Sequence, residues 1–300
     1  MSSRVTQWRE LEAVELCCKD SKATVALYGA TLVSWEVDGE ECLWVSGLSA
    51  TDGSKPIRGG VPIAWPQFAD QGPLPLHGFA REQRWRHAGT TLDNDEAVVA
   101  TFALTDADCS AASWTGGRRF ALTYTVSLGA ALEVRLTIEN TDDAAPLAFT
   151  SCLHTYFATP DVDGVRFEGL QGRAYYDKVA TREWTDDCDR VADAAAVTGQ
   201  ALADPAVGFV DRIFKGVAGP YDLRVSPARA FRIEHSGFPD TVLFNPWLEG
   251  KRGDKGPDFD DDGYRHMLCI EPAITLEGGG PLTLQPGRSW AGSQRITPVF

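Results

Sequence analysis

Leu132-Glu133-Val134-Arg135-Leu136-Thr137-Ile138-Glu139 alternates apolar and polar side chains along its whole length. Side chains on a strand point to opposite faces in turn, so this is a strand with one face buried and one wet. Similar runs recur on both sides of it. Upstream are Ala23–Tyr28, Thr31–Val37, Cys42–Ser46, Ala97–Leu104 and Phe120–Leu128. Downstream are Leu147–Phe157, Val165–Leu170, Asp211–Phe214, Tyr221–Val225, Phe231–His235, Thr241–Asn245, Met267–Glu271 and Ala291–Thr297. Asp38-Gly39 between two such runs reads as a tight hairpin turn, because Gly accepts a positive φ. No amphipathic pattern sustains a helix beyond about three turns. Asp186–Ala203, rich in Ala and Asp, is the best place for a helical or irregular insert. Pro and Gly punctuate the chain throughout, with no linker, internal repeat or low-complexity tract. The expectation is an all-β (mainly β) fold, one domain over residues 1–300 of mostly antiparallel strands with few short helices, a sandwich or barrel.

The 300 residues include 28 Lys and Arg against 42 Asp and Glu, a formal net charge of −14. That excludes a general nucleic-acid or anionic-membrane binder, which needs a basic surface. A small anionic ligand stays open, because a few arginines can invert the potential inside one cleft. The seven cysteines are odd in number and lack a C-x-x-C spacing, and several lie in apolar runs, which fits a reducing compartment. Met1–Thr6 carries no apolar signal-peptide core, and no apolar stretch approaches the roughly 20 residues of a membrane-spanning helix. A cytoplasmic protein is expected.

Two ionisable residues stand in apolar, strand-like runs. His154 lies in Ser151-Cys152-Leu153-His154-Thr155-Tyr156-Phe157, and Glu271 in Met267-Leu268-Cys269-Ile270-Glu271-Pro272. Desolvated in a sheet, they are parts for general acid and base catalysis. A lone His in such a run is also found as a core residue donating to a carbonyl. A buried carboxylate must be paired or shifted in pKa, whether for catalysis or for a structural ion pair.

Arg58-Gly59-Gly60-Val61-Pro62-Ile63-Ala64-Trp65-Pro66-Gln67-Phe68 is a rigid aromatic loop. It suits either a structural crossover or a surface for the apolar face of a sugar. Leu76-His77-Gly78-Phe79-Ala80-Arg81, with Arg84 and Arg86 behind, concentrates positive charge in an acidic chain. Guanidinium forks match phosphate or carboxylate oxygens, and surface pairing with local carboxylates is the alternative. Asp211 at a strand start can orient a sugar hydroxyl or cap a turn. Asp258-Phe259-Asp260-Asp261-Asp262-Gly263 resembles the opening of an EF-hand loop, but Cys269 stands where that loop requires Glu, so a solvated loop is expected. No zinc-ligand spacing, P-loop, dinucleotide fingerprint or nucleophile elbow is present.

In this order, Arg58-Gly59-Gly60-Val61-Pro62 with Trp65-Pro66, His77-Gly78-Phe79-Ala80-Arg81, Leu153-His154-Thr155-Tyr156-Phe157, Asp211-Arg212 and Cys269-Ile270-Glu271-Pro272 resemble the aldose 1-epimerase superfamily, and within it the glucose-6-phosphate 1-epimerases. The resemblance implies a galactose-mutarotase-like β-supersandwich that interconverts the α and β anomers of a hexose 6-phosphate. It implies His154 as the acid at the ring oxygen and Glu271 as the base at the anomeric hydroxyl. His77 would hold the anomeric region, Asp211 the sugar hydroxyls, and Arg58 and Arg81 the phosphate. It implies a monomer working on a small sugar phosphate, with no cofactor and no metal. Ala69 stands where several relatives have Gly, and Leu76 where some have a polar residue. The expected resting state is a glutamate and a histidinium, each titrating near neutrality. A mutarotase of neutral hexoses, a silent sugar-phosphate binding protein, and a glycoside hydrolase using Asp211 and Glu271 are the alternatives. The hydrolase would leave His154 without a role.

Overall fold

The computed structural model describes residues 1–93, 96–109, 117–195, 209–247 and 258–299. Its strands form mostly antiparallel sheets. A five-stranded sheet runs in sequence order through Ser2–Trp8, Leu11–Cys18, Ser21–Ala26, Leu32–Val37 and Glu40–Glu41. One eight-stranded sheet has the spatial order Arg166–Glu168, Tyr221–Ser226, Arg229–Ser236, Ser289–Val299, Leu132–Asn140, Phe120–Leu128, Ala97–Thr105 and Arg86–Asp93. The second eight-stranded sheet runs Arg182–Trp184, Tyr175–Asp177, Val210–Phe214, Asp240–Asn245, Met267–Ile274, Ser151–Leu153 and Ile63–Ala64, with Tyr156–Ala158 also on Met267–Ile274. Leu147–Phe149 pairs with Leu282–Leu284.

The alternation that predicts the fold does its work in the first eight-stranded sheet. Leu132, Val134, Leu136 and Ile138 are fully buried, while Glu133, Arg135 and Thr137 face outward. Apolar side chains of both large sheets, such as Tyr124, Ile233, Leu243 and Ile270, merge into one core. The Asp38-Gly39 turn has positive φ at both residues, 52° and 79°, as a two-residue hairpin of this twist requires. Of the expected insert at 186–203, residues 191–195 are helical and 196–203 lie outside the described residues. Gly59 and Gly60, at φ 119° and 69°, approach the chain itself. A Cβ there would come within 2.3 Å of the Trp44 carbonyl oxygen and 2.2 Å of that of Leu32. The loop is therefore a structural crossover along the edge of the sheet.

The long strand expected over 147–157 is broken, and the break shapes everything around it. Cys152 pairs with Ala273 and Tyr156 with Cys269. Counting inward from either pair sets His154 opposite Glu271. Between them the ladder fails for a covalent reason. Ile270 N–H donates to Thr155 O at 3.2 Å. Two residues on, Pro272 faces the same side with no N–H to give. Leu153 O accepts instead from Thr155 N–H at 3.0 Å, a local kink. That takes the Thr155 N–H from the ladder and leaves Ile270 O without its strand partner. The buried Gln294 of the other sheet fills the gap: its Nε2 donates to Ile270 O at 3.0 Å, and its Oε1 accepts from the Thr155 hydroxyl at 2.5 Å. On the far edge, Pro62 O and Gly60 O accept from His154 N–H and Tyr156 N–H at 3.0 and 2.9 Å.

Gln294→Leu should leave the Thr155 hydroxyl and Ile270 carbonyl unpaired in the core and cost about 1–3 kcal/mol. Denaturant unfolding checks this. Adding Thr155→Val to Gln294→Leu should cost little more, because the two changes remove the same bond.

Candidate active site

Register decides which side chains share the concave face of the second large sheet. Asp211 lies opposite Phe244, Phe244 opposite Cys269 and Cys269 opposite Tyr156. One step along, Val242 lies opposite Glu271, which faces His154. Neighbours across strands project to one face, so Asp211, Phe244, Tyr156, His154 and Glu271 converge. They line a cavity of about 280 Å³ with Arg58, Phe68, His77 and Lys178.

His154 Nδ1 sits 3.3 Å from Glu271 Oε1, too poorly aligned for a hydrogen bond. Both are buried, Glu271 to 1 % exposure. The imidazole stacks on Tyr156 at 4.6 Å and 10°, and Tyr156 stacks on Trp44 at 5.8 Å. Glu271 Oε2 accepts from the Cys152 thiol at 3.0 Å. Burial pushes the Glu271 carboxyl up to about 8, with nearby Asp211 adding to the rise. Burial, then Arg81 and Arg58, drive His154 down to about 3. The rise of the Glu271 carboxyl is the one expected from its burial, whereas His154 is held down where a rise was expected. Burial and the guanidinium groups, not the neighbouring carboxyl, set the direction for the imidazole.

His77 belongs to the site, and its ring meets His154 edge-on at 5.2 Å. Its Nδ1 accepts from Ala69 N–H at 3.2 Å, which places the ring proton on Nε2. Burial holds its pKa well below the usual histidine value. The backbone locks it further, with His77 N–H donating to Ala69 O at 2.8 Å. Both residues have positive φ, 64° and 49°. The Ala in place of Gly therefore sets backbone strain at the cavity wall, which Leu76 also lines. Gln67 pins the loop between them, its Nε2 donating to Ala69 O at 3.0 Å and its Oε1 accepting from Leu74 N–H at 2.9 Å.

The arginines divide. Arg58 lines the cavity, but its Nε and Nη2 are held by Asp258 at 3.2 Å each, and it bonds the Tyr156 hydroxyl. The acidic run is therefore a latch and not a solvated loop: Asp258 holds Arg58, and Asp260 accepts from Ser46 Oγ and Gly47 N–H at 3.1 and 2.9 Å. Arg81 stands behind the wall, Nη2 donating to Leu76 O at 2.7 Å, with its buried Nε unpartnered among the described residues. Arg84 pairs with Glu12, and Arg86 is exposed on an edge strand, so neither joins the expected cluster. Trp65 is also no sugar platform; it is fully buried against Phe79 and Phe120. Phe68 is the aromatic of that loop that reaches the cavity.

Lys178 and Tyr156 were not singled out as site residues by the sequence. Tyr156 had a signal, since two residues after His154 in extended chain is the same face. Lys178 had none. Its Nζ lies 3.6 Å from Asp211 Oδ2, a pairing across neighbouring strands that are far apart in sequence. His154, Cys269 and Glu271 place donor atoms within 4.8 Å of one another, a grouping the sequence spacing did not suggest.

A family model described as aldose 1-epimerase matches residues 12–297. A protein of Cenchrus ciliaris with the provisional name glucose-6-phosphate 1-epimerase is 33% identical over 304 residues, covering 96% of this chain and 84% of its own. An Escherichia coli K12 protein of the same provisional name is 33% identical over 288 residues, covering 92% and 88%. A crystal structure from Salmonella typhimurium, provisionally titled a mutarotase, has a TM-score of 0.80 at 27% identity, covering 98% of this chain and 92% of that one.

Glu271→Gln tests the raised carboxyl through stability. A carboxyl raised from 4.5 to about 8 contributes stability that is intact below 4.5 and lost as pH climbs towards 8. The variant does not suffer that loss. It should match the wild type near pH 4 and exceed it by on the order of a few kcal/mol at pH 8 and above. Unfolding midpoints across that range check it.

Proposed function

The chain belongs to the aldose 1-epimerase family of isomerases, and we propose that it interconverts the α and β anomers of an aldohexose 6-phosphate, glucose 6-phosphate above all. The carrying observation is the register-matched His154–Glu271 pair on the floor of a cavity with a guanidinium in its wall. Glu271 takes the proton of the anomeric hydroxyl while His154 delivers one to the ring oxygen. The C1–O5 bond breaks and C1 becomes a carbonyl. Rotation about C1–C2 presents the other carbonyl face. Reclosure returns both protons, so the pair resets without a covalent intermediate. His77, a donor through Nε2, steadies the anomeric oxygen or ring oxygen, and Asp211 accepts from a ring hydroxyl.

Glutamate with histidinium and glutamic acid with imidazole hold the same number of protons. They are tautomers, so local field chooses between them and bulk pH does not. Burial, then Arg81 and Arg58, favour the neutral imidazole. A phosphate dianion beside them offsets that field and favours the histidinium needed at the ring oxygen. The Arg58 guanidinium in the cavity wall supports such an anion site.

A mutarotase of neutral hexoses is the second possibility. It is favoured by the Arg58–Asp258 pair, which already satisfies much of that guanidinium. Exchange NMR on glucose 6-phosphate and on glucose separates the two. The phosphosugar should exchange faster with protein, and His154→Ala or Glu271→Gln should each lower the catalysed rate by about 100-fold or more. Arg81→Ala should harm the phosphosugar far more than glucose. Acceleration of glucose alone would overturn the phosphate assignment, and acceleration of neither would leave a binding protein. In the same assay, kcat/KM should fall about tenfold per pH unit above about 8, where the pair loses its one shared proton.

A further inference from the structure

The two ends of the cavity carry different charge pairs. Arg58 and Arg81 act on His154, and Arg58 bonds the hydroxyl of the Tyr156 ring stacked on it. Lys178 and Asp211 act on Glu271, one opposing and one reinforcing its hold on a proton; Lys178 also acts on His154, but Asp211 stands two strands from that of Glu271 on the side away from His154. Both line the cavity, and Lys178 Nζ lies 5.6 Å from the Phe68 ring centroid. The lysine is placed by its backbone. The buried Asp177 carboxylate accepts from Val179 and Ala180 N–H at 3.0 and 2.9 Å, fixing the turn, and Lys178 N–H donates to Asp211 O at 2.9 Å.

The connectivity of a pyranose then assigns each end. The ring oxygen joins C1 to C5, and C5 carries the 6-phosphate arm. C1 carries the anomeric hydroxyl and is bonded to C2. His154 at the ring oxygen and Glu271 at the anomeric hydroxyl, the roles given above on which this step rests, put the phosphate at the arginine end. The 2-hydroxyl then lies at the Glu271 end, where Lys178 and Asp211 stand. Their 3.6 Å separation is longer than a good hydrogen bond. A hydroxyl is both donor and acceptor, so it can take a bond from the ammonium and give one to the carboxylate. We propose that Lys178, together with Asp211, reads the 2-hydroxyl of the sugar and sets selectivity among hexose 6-phosphates.

Both bonds would be charge-assisted. A sugar without the 2-hydroxyl forfeits them, but Lys178 and Asp211 can then close on each other. The discrimination should therefore be about 10- to 100-fold, below the ~10⁴-fold reached where a buried donor is left with no partner.

The test is exchange NMR with wild type, Lys178→Met and Lys178→Arg on glucose 6-phosphate and 2-deoxyglucose 6-phosphate. Wild type should favour glucose 6-phosphate by about tenfold or more in kcat/KM. Lys178→Met should bring that preference close to unity, chiefly by slowing glucose 6-phosphate, and Lys178→Arg should restore part of it. Equal slowing of both sugars by Lys178→Met, or no change in either, would overturn the assignment while leaving the mutarotase intact. A wild type that accelerates neither phosphosugar would instead overturn the hexose-phosphate function, and the lysine's role with it.

Discussion

The gap in one β-ladder governs the site. Pro272 cannot donate, Thr155 turns its N–H back to Leu153, and His154 stands at the kink facing Glu271. In an unbroken pair, both backbones would bond straight across, and every side chain would take its place in a regular array. Here the deficit is confined to one carbonyl, and Gln294 reaches across from the facing sheet to satisfy it. A buried polar network of this kind works only when complete. The sandwich is therefore more than a support: the first large sheet supplies the amide that lets the second be broken. Position and chemistry are linked through that bond, because Gln294, by holding Thr155 and Ile270 together, stabilises the kink that frees His154.

Electrostatics follows from the same burial. A carboxyl exposed to 1 % and an imidazole beside two guanidinium groups each shed the form that burial penalises. One proton remains on the pair, and moving it between them costs no exchange with solvent. Mutarotation needs that property, since each ring opening is undone by the next closure. Cys152 contributes by donating to Oε2, which leaves Oε1 turned towards His154 and the cavity.

Much of this is legible in the sequence, and the limits have physical causes. Alternation over 132–139 gives the sheet because period two has one cause. His154 and Glu271 stand out because ionisable residues in apolar runs need a reason. Their facing register is not legible, since it depends on strands more than a hundred residues apart. The same holds for partners: Arg58 was expected to be open to phosphate, but Asp258 arrives from two hundred residues away. Arg84 and Arg86 looked like companions of Arg81 because they are near in sequence, yet the extended chain carries them outward to Glu12 and an edge strand. Resting charges also escaped the sequence. A carboxylate near a histidine suggests an ion pair, and only the depth of burial and the arginine positions reverse the sign.

The pairing of the cavity's cations bears on how the protein discriminates. Arg58 has Asp258 and Lys178 has Asp211, so two of the cations in the wall meet a carboxylate before any ligand arrives. A bare cation would attract any anion strongly and indiscriminately. A paired one gains only by exchanging partners, so its ligand must offer bonds at least as good and in the right direction. At the arginine end a dianion must compete with Asp258 for the guanidinium. At the lysine end the pairing favours a hydroxyl that can bridge ammonium and carboxylate together, which neither a simple anion nor a simple donor can do. Selectivity in this cavity then comes from the carboxylates as much as from the cations, and removing Asp258 should broaden anion binding rather than abolish it.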